Sequence, residues 1–266
     1  PAVDIRGSAG GQVAIVETGT GRLLGGVGAG RAPATVHPGA VYLHQGETYV
    51  VDSLDLEAAI AFVHAEDPGY STHARELTDI AVTGSGEHTD LGSVTLGVVP
   101  VAVTSRVTGY LRRALSGEVL DFVELSLPAQ HLPTVAAMYT VTPEALADNG
   151  IDPLRIPGSL HAAEHAAIGL LPLVASCDRG DIGGLSTALG PGGLPTVFVY
   201  DGYPGGAGFA ERGYRQAATW LGATLAAIVA CECPSGCPSC VQSPKCGNGT
   251  DPLDKMGAVA VLRTIL

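Results

Sequence analysis

The residues best suited to chemistry are cysteines crowded near the carboxyl-terminal end of the sequence. Five of the six cysteines fall within a short segment: Cys231, Cys233, Cys237, Cys240 and Cys246. A structural zinc site needs four ligands in a tetrahedron, with sulfur about 2.3 Å from the ion. Cys-x2-Cys turns aim two thiolates at one point, and the proline and glycine residues between these cysteines supply the kinked backbone. The spacing predicts one structural Zn²⁺ ion, held by four of the five.

Two alternatives to zinc are a disulfide-linked knot and a Cys-x2-Cys redox pair. The odd number of clustered cysteines, the lack of a visible signal peptide and the chain length argue against disulfides. A redox motif normally opens a helix after a strand and needs no further cysteines. Zinc is therefore the favoured interpretation, in a structural role, because no histidine lies close by in the sequence.

A second candidate metal motif is His161-Ala162-Ala163-Glu164-His165. It matches H-x-x-E-H, the pattern of inverted zinc peptidases, in which both histidines share a helix face and the glutamate is a general base. The alternative is a polar helix face packed against its neighbours. A pattern with three fixed letters often arises by chance, and the third ligand that a peptidase needs has no distinctive motif downstream.

The charge distribution restricts nucleic-acid binding to local patches. The net charge is −12, whereas phosphate binding needs clustered Lys and Arg. The best basic candidates are Arg106, Arg112 and Arg113. The alternative interpretation of these arginines is an ordinary solvated surface without bound phosphate. Tyr42 and His44 could stack on bases at a hairpin tip, although a cross-strand tyrosine pair is equally natural there. These five residues are the candidate DNA contacts.

The composition is that of a compact globular protein, with 46% hydrophobic and 15% charged residues. The sequence contains no uninterrupted stretch of eighteen or more apolar residues, so it predicts no membrane span. The sequence begins with Pro1 and shows no leader, so we expect a piece of a longer protein. Cysteines without a targeting segment favour the cytoplasm.

The elements expected around these residues change in type near residue 115. Residues 1–115 read mostly as short strands and glycine turns, which predicts a β-rich small barrel or sandwich, with one short helix over 55–63. Residues 116–266 alternate strands with apolar helices, which predicts an α/β domain ending in the knuckle, residues 231–246. A glycine-rich turn at 200–209 is expected to join a strand to a helix. The predicted fold class is α+β.

Several motifs together resemble one family. The segments that carry the resemblance are His37–Tyr49, His161–His165, Tyr203–Phe209, Cys231–Cys240 and Ser243–Asn248. In this order they are similar to the C-terminal region of MrfA-like bacterial superfamily 2 DNA helicases, which ends in the MrfA zinc-binding domain, a former domain of unknown function. The resemblance covers essentially the whole chain.

The resemblance implies a 3′-to-5′ ATP-dependent DNA helicase linked to DNA repair. Its RecA-like motor domains, with ATP and Mg²⁺, would precede this chain, which has no Walker A motif, DEAH-type box or arginine-finger motif. The fragment alone is therefore expected to lack ATPase activity. Its partners would be those motor domains and single-stranded or partly duplex DNA, with no membrane, and its role would be to guide or separate strands.

Carried over by position, the family's zinc ligands fall on Cys231, Cys233, Cys237 and Cys240. Reasoning from the residues leaves Cys231 and Cys246 as competitors for the last place. A zinc metallopeptidase that uses His161, Glu164 and His165, and a protein-interaction scaffold without DNA contact, are the alternative functions.

Overall fold

The computed structural model describes residues 11–243, 246 and 251–266. Part of the motif at 243–248 thus lies outside the described residues. The described chain forms two compact units, each discontinuous in sequence. The first contains the residues up to Thr78 and Ser105–Gln130, and the second contains Asp79–Thr104 and His131–Leu266. The division predicted at residue 115 falls inside the first unit and stays a prediction.

The first unit is built on a five-stranded sheet. Its elements are β1 (Gln12–Glu17), β2 (Leu23–Gly28), α1 (Ala32–Thr35), β3 (Val41–His44), β4 (Glu47–Asp55) and β5 (Ile60–Ala65). The strand order is β2-β1-β5-β4-β3, with β1 and β5 parallel and the other pairs antiparallel. Inward residues at every second position, such as Val13 and Ile15, form the core beneath α1.

The helix predicted over residues 55–63 is wrong. The Asp55 carboxylate accepts hydrogen bonds from the backbone N–H groups of Glu57 and Ala58, at 3.0 and 2.8 Å, which closes a turn instead of capping a helix. Ala59 takes a φ of 53°, and β5 begins at the next residue. Pairing of β5 with both β1 and β4 overrides the helix propensity of this segment.

The remaining elements include a second, seven-stranded sheet. The strands are β6 (Tyr70–Val82), β7 (Glu87–Asp90), β8 (Val94–Ala114), β9 (Val119–Glu124), β10 (Gln130–Val141), β11 (Ile182–Thr187) and β12 (Thr196–Asp201). The helices are α2 (Pro143–Asp148), α3 (Ile156–Leu170), α4 (Phe209–Arg215), α5 (Ala217–Ala230) and α6 (Lys255–Ile265), with 3₁₀ turns at Pro153–Arg155, Leu171–Leu173 and Pro191–Gly193. The sheet order is β11-β12-β10-β8-β6, and β7 and β9 also pair with β8.

Helix α3 is the centre of the core of the second unit. Its residues from Ile156 to Ala167 are buried except Pro157, and it packs against α5, α6, β11 and β12. The indole of Trp220 on α5 donates a hydrogen bond to the Ala167 carbonyl at 2.8 Å. A helix that is apolar nearly all round is stable only when surrounded. This burial explains why the polar residues of α3 face protein groups.

The predicted α+β class with a four-cysteine cluster near the carboxyl-terminal end is confirmed. Thr142 caps α2, with Pro143 at the first helical position. Gln216 separates α4 from α5. Across the described part of the chain, we find no helix with the length and apolar character that a membrane crossing requires.

Candidate metal centre

Four of the cysteines bring their sulfur atoms together. The Sγ–Sγ distances are 3.5 Å for Cys231–Cys233, Cys231–Cys237 and Cys233–Cys240, and 3.8 Å for Cys237–Cys240. These separations exclude disulfide bonds, in which the sulfurs are about 2.05 Å apart. They fit a metal ion instead, because a tetrahedron with Zn–S bonds of about 2.3 Å has S–S edges of about 3.8 Å.

The backbone of the knuckle aims these sulfurs inward. Cys231 ends α5, and the Cys237 carbonyl accepts hydrogen bonds from the N–H groups of Cys240, Val241 and Gln242 at 3.0–3.2 Å. Gly236 enables this turn, since its φ is 117° and an added Cβ would lie 2.6 Å from the Cγ2 atom of Val241. The turn therefore needs glycine at this position.

A buried lysine places a positive charge beside the thiolates. Lys255, at the start of α6, is only 7% exposed. Its ammonium group donates to the carbonyls of Cys231 and Cys233, at 2.6 and 2.7 Å, and lies 3.5 Å from the Cys233 sulfur. Four thiolates around Zn²⁺ carry a net charge of −2, so a nearby cation lowers the cost of burying them. Sequence reasoning missed Lys255, which follows the cluster in an ordinary Asp-Lys pair.

The thiols differ in acidity before any metal binds. A hydrogen bond from the backbone N–H of Ser239, helped by neighbouring thiols, lowers the pKa of Cys237 to about 7. Burial raises the pKa of Cys240 to about 12. Metal binding deprotonates all ligand cysteines, so zinc affinity at this site should fall at low pH.

The fifth cysteine lies in a different cluster. The Cys246 sulfur is 3.3 Å from Nε2 of His161, and one ligand atom from each of His161, His165 and Cys246 fits within 4.8 Å. Cys231, not Cys246, therefore joins the other three cysteines in space. The sixth cysteine, Cys177, contributes to the partly buried margin of the core, and burial raises its pKa to about 11.

The H-x-x-E-H residues all lie on α3, inside the second unit. His161, Glu164 and His165 are 9%, 6% and 4% exposed. Nδ1 of His161 is 2.9 Å from the Pro252 carbonyl, and Nδ1 of His165 is 2.8 Å from the Val241 carbonyl. Burial raises the pKa of Glu164, whose carboxylate also bonds to the side chain of Ser186.

The candidate DNA contacts all belong to the first unit. Arg106 is exposed on β8, whereas Arg112 forms a two-bond ion pair with Asp121 and lies over the ring of Tyr70. Nε of Arg113 is buried, with no hydrogen-bond partner among the described residues. Of the three arginines, Arg106 is therefore the most accessible to a phosphate.

The aromatic pair lies on β3. The rings of Tyr42 and His44 are nearly parallel, at 17°, with centroids 6.2 Å apart. Tyr42 also lies opposite Tyr49 on the neighbouring strand, which is the cross-strand tyrosine pair that the sequence offered as an alternative to base stacking. Tyr49 itself is buried and bonds to Glu47 and Arg22.

The glycine-rich turn after β12 is filled by the protein's own carboxylate. Asp201 is fully buried and accepts hydrogen bonds from the N–H groups of Ala207, Phe209 and Ala210, the last two at 3.2 and 2.8 Å. An anion at this helix start is thus supplied from within the chain. The predicted tight strand-to-helix turn is what the structure shows.

Comparison with known proteins identifies one family and several relatives. Residues 163–241 match the family model described as the MrfA Zn-binding domain. An uncharacterized ATP-dependent helicase of Bacillus subtilis, YprA, is 30% identical over 228 residues, or 83% of this chain and 29% of that protein. The ATP-dependent helicase hrq1 of Schizosaccharomyces pombe is 27% identical, over 89% of this chain and 24% of its own length.

A short relative and a solved structure extend this picture. The uncharacterized protein MJ1572.1 of Methanocaldococcus jannaschii is 37% identical over 111 residues, which is 40% of this chain and 99% of that protein. The crystal structure of the DUF1998 helicase MrfA bound to DNA matches 96% of this chain with a TM-score of 0.66 and 26% identity, over 34% of its own length. The chain spans less than a third of the length of the helicases YprA and hrq1.

Proposed function

Because the chain belongs to the MrfA zinc-binding domain family, we propose that it is the accessory region of an ATP-dependent DNA helicase. In this proposal RecA-like motor domains earlier in the same polypeptide bind ATP and Mg²⁺ and translocate 3′ to 5′. The chain itself guides or separates the strand that the motor pulls. The protein works in DNA repair, in the cytoplasm.

The observation that carries the proposal is the extent of the structural likeness. Almost the entire chain, and not the zinc-binding part alone, follows the fold of a helicase whose crystal structure contains DNA. An accessory element that separates strands must resist the force of the motor. A four-cysteine zinc site supplies that rigidity, because structural zinc contributes folding free energy outright.

We assign one Zn²⁺ to Cys231, Cys233, Cys237 and Cys240. The donor set, the Sγ–Sγ distances and the buried Lys255 ammonium group all suit this ion. Among the residues that the structure describes, these four form one of two groups with the reach to hold a metal.

For DNA, we propose a surface on the first unit that includes Arg106 and the ring pair of Tyr42 and His44. An exposed guanidinium can neutralise a phosphate, and parallel aromatic rings can stack on unpaired bases of single-stranded or partly duplex DNA. Arg112 and Arg113 belong to the same proposed surface, but the charge of Arg112 is already shared with Asp121.

The test of the accessory role uses the complete polypeptide that contains this chain. Cys237→Ser with Cys240→Ser should release the knuckle zinc and reduce ATP-dependent unwinding of a 3′-tailed duplex at least tenfold. The matched control is Cys177→Ser, a partly buried cysteine outside both candidate metal groups. Wild-type unwinding by a double variant that has lost its zinc would reject the accessory role.

The DNA surface is tested separately. Arg106→Glu should weaken binding to single-stranded DNA and reduce the salt dependence of log K by about 0.7 for each phosphate that is no longer neutralised. Glu118→Gln, an exposed change in the same unit, is the control. If Arg106→Glu and Tyr42→Ala leave both DNA binding and unwinding unchanged, the scaffold without DNA contact becomes the better description.

The polarity and the repair role have their own measurements. Unwinding should require a 3′ tail and fail on a 5′-tailed duplex. Cells that lack the gene should be more sensitive to DNA damage, and the double cysteine variant should not restore their survival. Equal unwinding of both tailed duplexes, or undiminished survival, would remove the corresponding part of the proposal.

A further inference from the structure

We propose that His161, His165 and Cys246 bind a second Zn²⁺ ion, separate from the four-cysteine site. Their ligand atoms lie within 4.8 Å of one another, and two of the three side chains are held in place by hydrogen bonds to backbone carbonyls. The site takes zinc through two imidazoles and one thiolate and leaves a fourth position for water or another small ligand.

The two histidines present the correct nitrogen. Since a carbonyl oxygen can only accept, Nδ1 of His161 must donate to Pro252, and Nδ1 of His165 must donate to Val241. In the neutral rings Nε2 therefore carries the lone pair. Metal-binding histidines are typically fixed in this way, with the second ring nitrogen donating to a carbonyl or carboxylate. The two rings meet edge to face, with centroids 4.3 Å apart.

The third ligand has a suitable distance. The Cys246 sulfur lies 3.3 Å from Nε2 of His161. Around zinc, a nitrogen at about 2.0 Å and a sulfur at about 2.3 Å in a tetrahedron are about 3.5 Å apart. The observed separation is close to that edge, as one ion shared by these two atoms would require.

The surroundings are buried and polar. Glu164 is 6% exposed and lies close enough to both histidines and to Cys246 for their charges to influence its pKa. The hydroxyl of Tyr139, 2% exposed, has no hydrogen-bond partner among the described residues, and Glu164 contributes to the raised pKa of this phenol. Buried polar groups of this kind are costly without a compensating charge. A bound cation compensates the carboxylate and the thiolate together.

This arrangement differs from a peptidase centre. The third ligand is a thiolate, and the Glu164 carboxylate already accepts from Ser186. Zinc bound here would tie Cys246, at the end of the knuckle, to the middle of α3. The ion would thus link Cys246 to α3, and its fourth position would stay open to water or another small ligand.

The experiment measures zinc per chain in the protein equilibrated with excess zinc and then dialysed. The wild type should retain two equivalents, while Cys246→Ala, His161→Asn and His165→Asn should each retain one. In both asparagine variants the amide N–H can replace Nδ1–H towards the carbonyl, so the fold is kept and only the metal-binding nitrogen is lost. Cys177→Ala and His131→Ala are the matched controls and should retain two.

Cobalt substitution distinguishes this site from the four-cysteine site. In Cys246→Ala the intense sulfur-to-cobalt charge transfer of the four-thiolate site should persist, and the weaker absorption of the second equivalent should disappear. Loss of the knuckle zinc in Cys237→Ser with the second equivalent retained would support two independent sites.

Two results would overturn the proposal. One is a single equivalent in the wild type at saturating zinc, unchanged in Cys246→Ala. The other is rapid alkylation of Cys246 at neutral pH that excess zinc does not slow, because this would identify a thiolate–imidazolium pair with His161 in place of a metal site.

Discussion

Replacing Lys255 with methionine is expected to weaken both the fold of the second unit and its hold on the knuckle zinc. The side chain is 7% exposed and joins α6 to the knuckle through the carbonyls of Cys231 and Cys233. Methionine keeps a similar length and apolar stem but removes the ammonium group. The change therefore isolates the charge and its hydrogen bonds.

The magnitude follows from the hydrogen bonds that the substitution removes. Hydrogen bonds that involve a charged group contribute about 1.5–3 kcal/mol each, and buried acceptors left without partners are costly. Two such bonds of 2.6 and 2.7 Å disappear, together with the attraction to the Cys233 sulfur. Since neighbouring bonds are not additive, we expect the free energy of unfolding to fall by roughly 2–4 kcal/mol. Groups that support metal ligands typically change metal affinity about 10–100-fold when removed.

The assay has two readouts on the same samples. Urea denaturation followed by Trp220 fluorescence gives the free energy of unfolding, and competition with a chromophoric chelator gives the zinc affinity. Arg263→Met is the matched control, because Arg263 is exposed on the same helix and also loses one positive charge. It should change stability by less than about 1 kcal/mol.

The reasoning would be refuted if Lys255→Met matched Arg263→Met in both readouts. A loss of stability without a change in zinc affinity would show that Lys255 supports the packing of α6 but does not act on the thiolates. A ten-fold or greater loss of affinity in Lys255→Met alone supports the electrostatic role.

Three further predictions concern Gly236, Asp201 and His64. Gly236→Ala should lower both the midpoint of thermal unfolding and the zinc affinity, and the backbone strain alone should cost about 1–3 kcal/mol. The control is Gly192→Ala, because Gly192 has a φ of 68° but no atom near the position of an added Cβ. This control should show the strain without the steric clash and without a loss of zinc. Asp201→Ala should cost roughly 3–5 kcal/mol in urea denaturation, because the buried carboxylate and its three hydrogen bonds to N–H groups are lost, while Asp67→Ala in an exposed turn should cost about 1 kcal/mol or less. Hydrogen bonds to Glu66 and Asp52 raise the pKa of His64. The protonated His64 therefore stabilises the fold fully below pH 6.5, and this contribution is lost as the pH rises through the raised pKa of the folded state. In an NMR titration Asp52→Asn should lower the pKa of His64, and an unchanged pKa would contradict the His64–Asp52 ion pair.

The sequence identifies the zinc cluster because its ligands are local. Cys233, Cys237 and Cys240 are close in the chain, and short spacing leaves few ways to separate their sulfurs. It cannot assign Cys246, since the partner of this thiol, His161, is 85 residues away and meets it only through the packing of α3. The role of Lys255 cannot be predicted from the sequence for the same reason, because the carbonyls that it contacts, those of Cys231 and Cys233, lie far from it in the chain.

Elsewhere, sheet pairing decides what local preference leaves open. Residues 55–63 contain good helix formers, yet Ala61 and Val63 are buried in β5 between two neighbouring strands. Exposed and buried positions alternate in β5, as a strand requires. In the sequence this alternation is hard to recognise, because the segment is short and consists largely of Ala, Leu and Ile. By contrast, Thr142-Pro143 signals a helix start through contacts made within four residues, and the structure has it there.

Helix α3 explains how a knuckle without extensive secondary structure of its own becomes part of the core. His165 bonds to Val241, the residue directly after Cys240, and His161 bonds to Pro252, shortly before α6. The two histidines are one helical turn apart, so a single face of α3 fixes the chain both directly after Cys240 and just before the last helix. Lys255 then returns from α6 to Cys231 and Cys233. These bonds connect the four-cysteine cluster to the centre of the second unit, which is the kind of anchoring that the proposed strand-separating role would need.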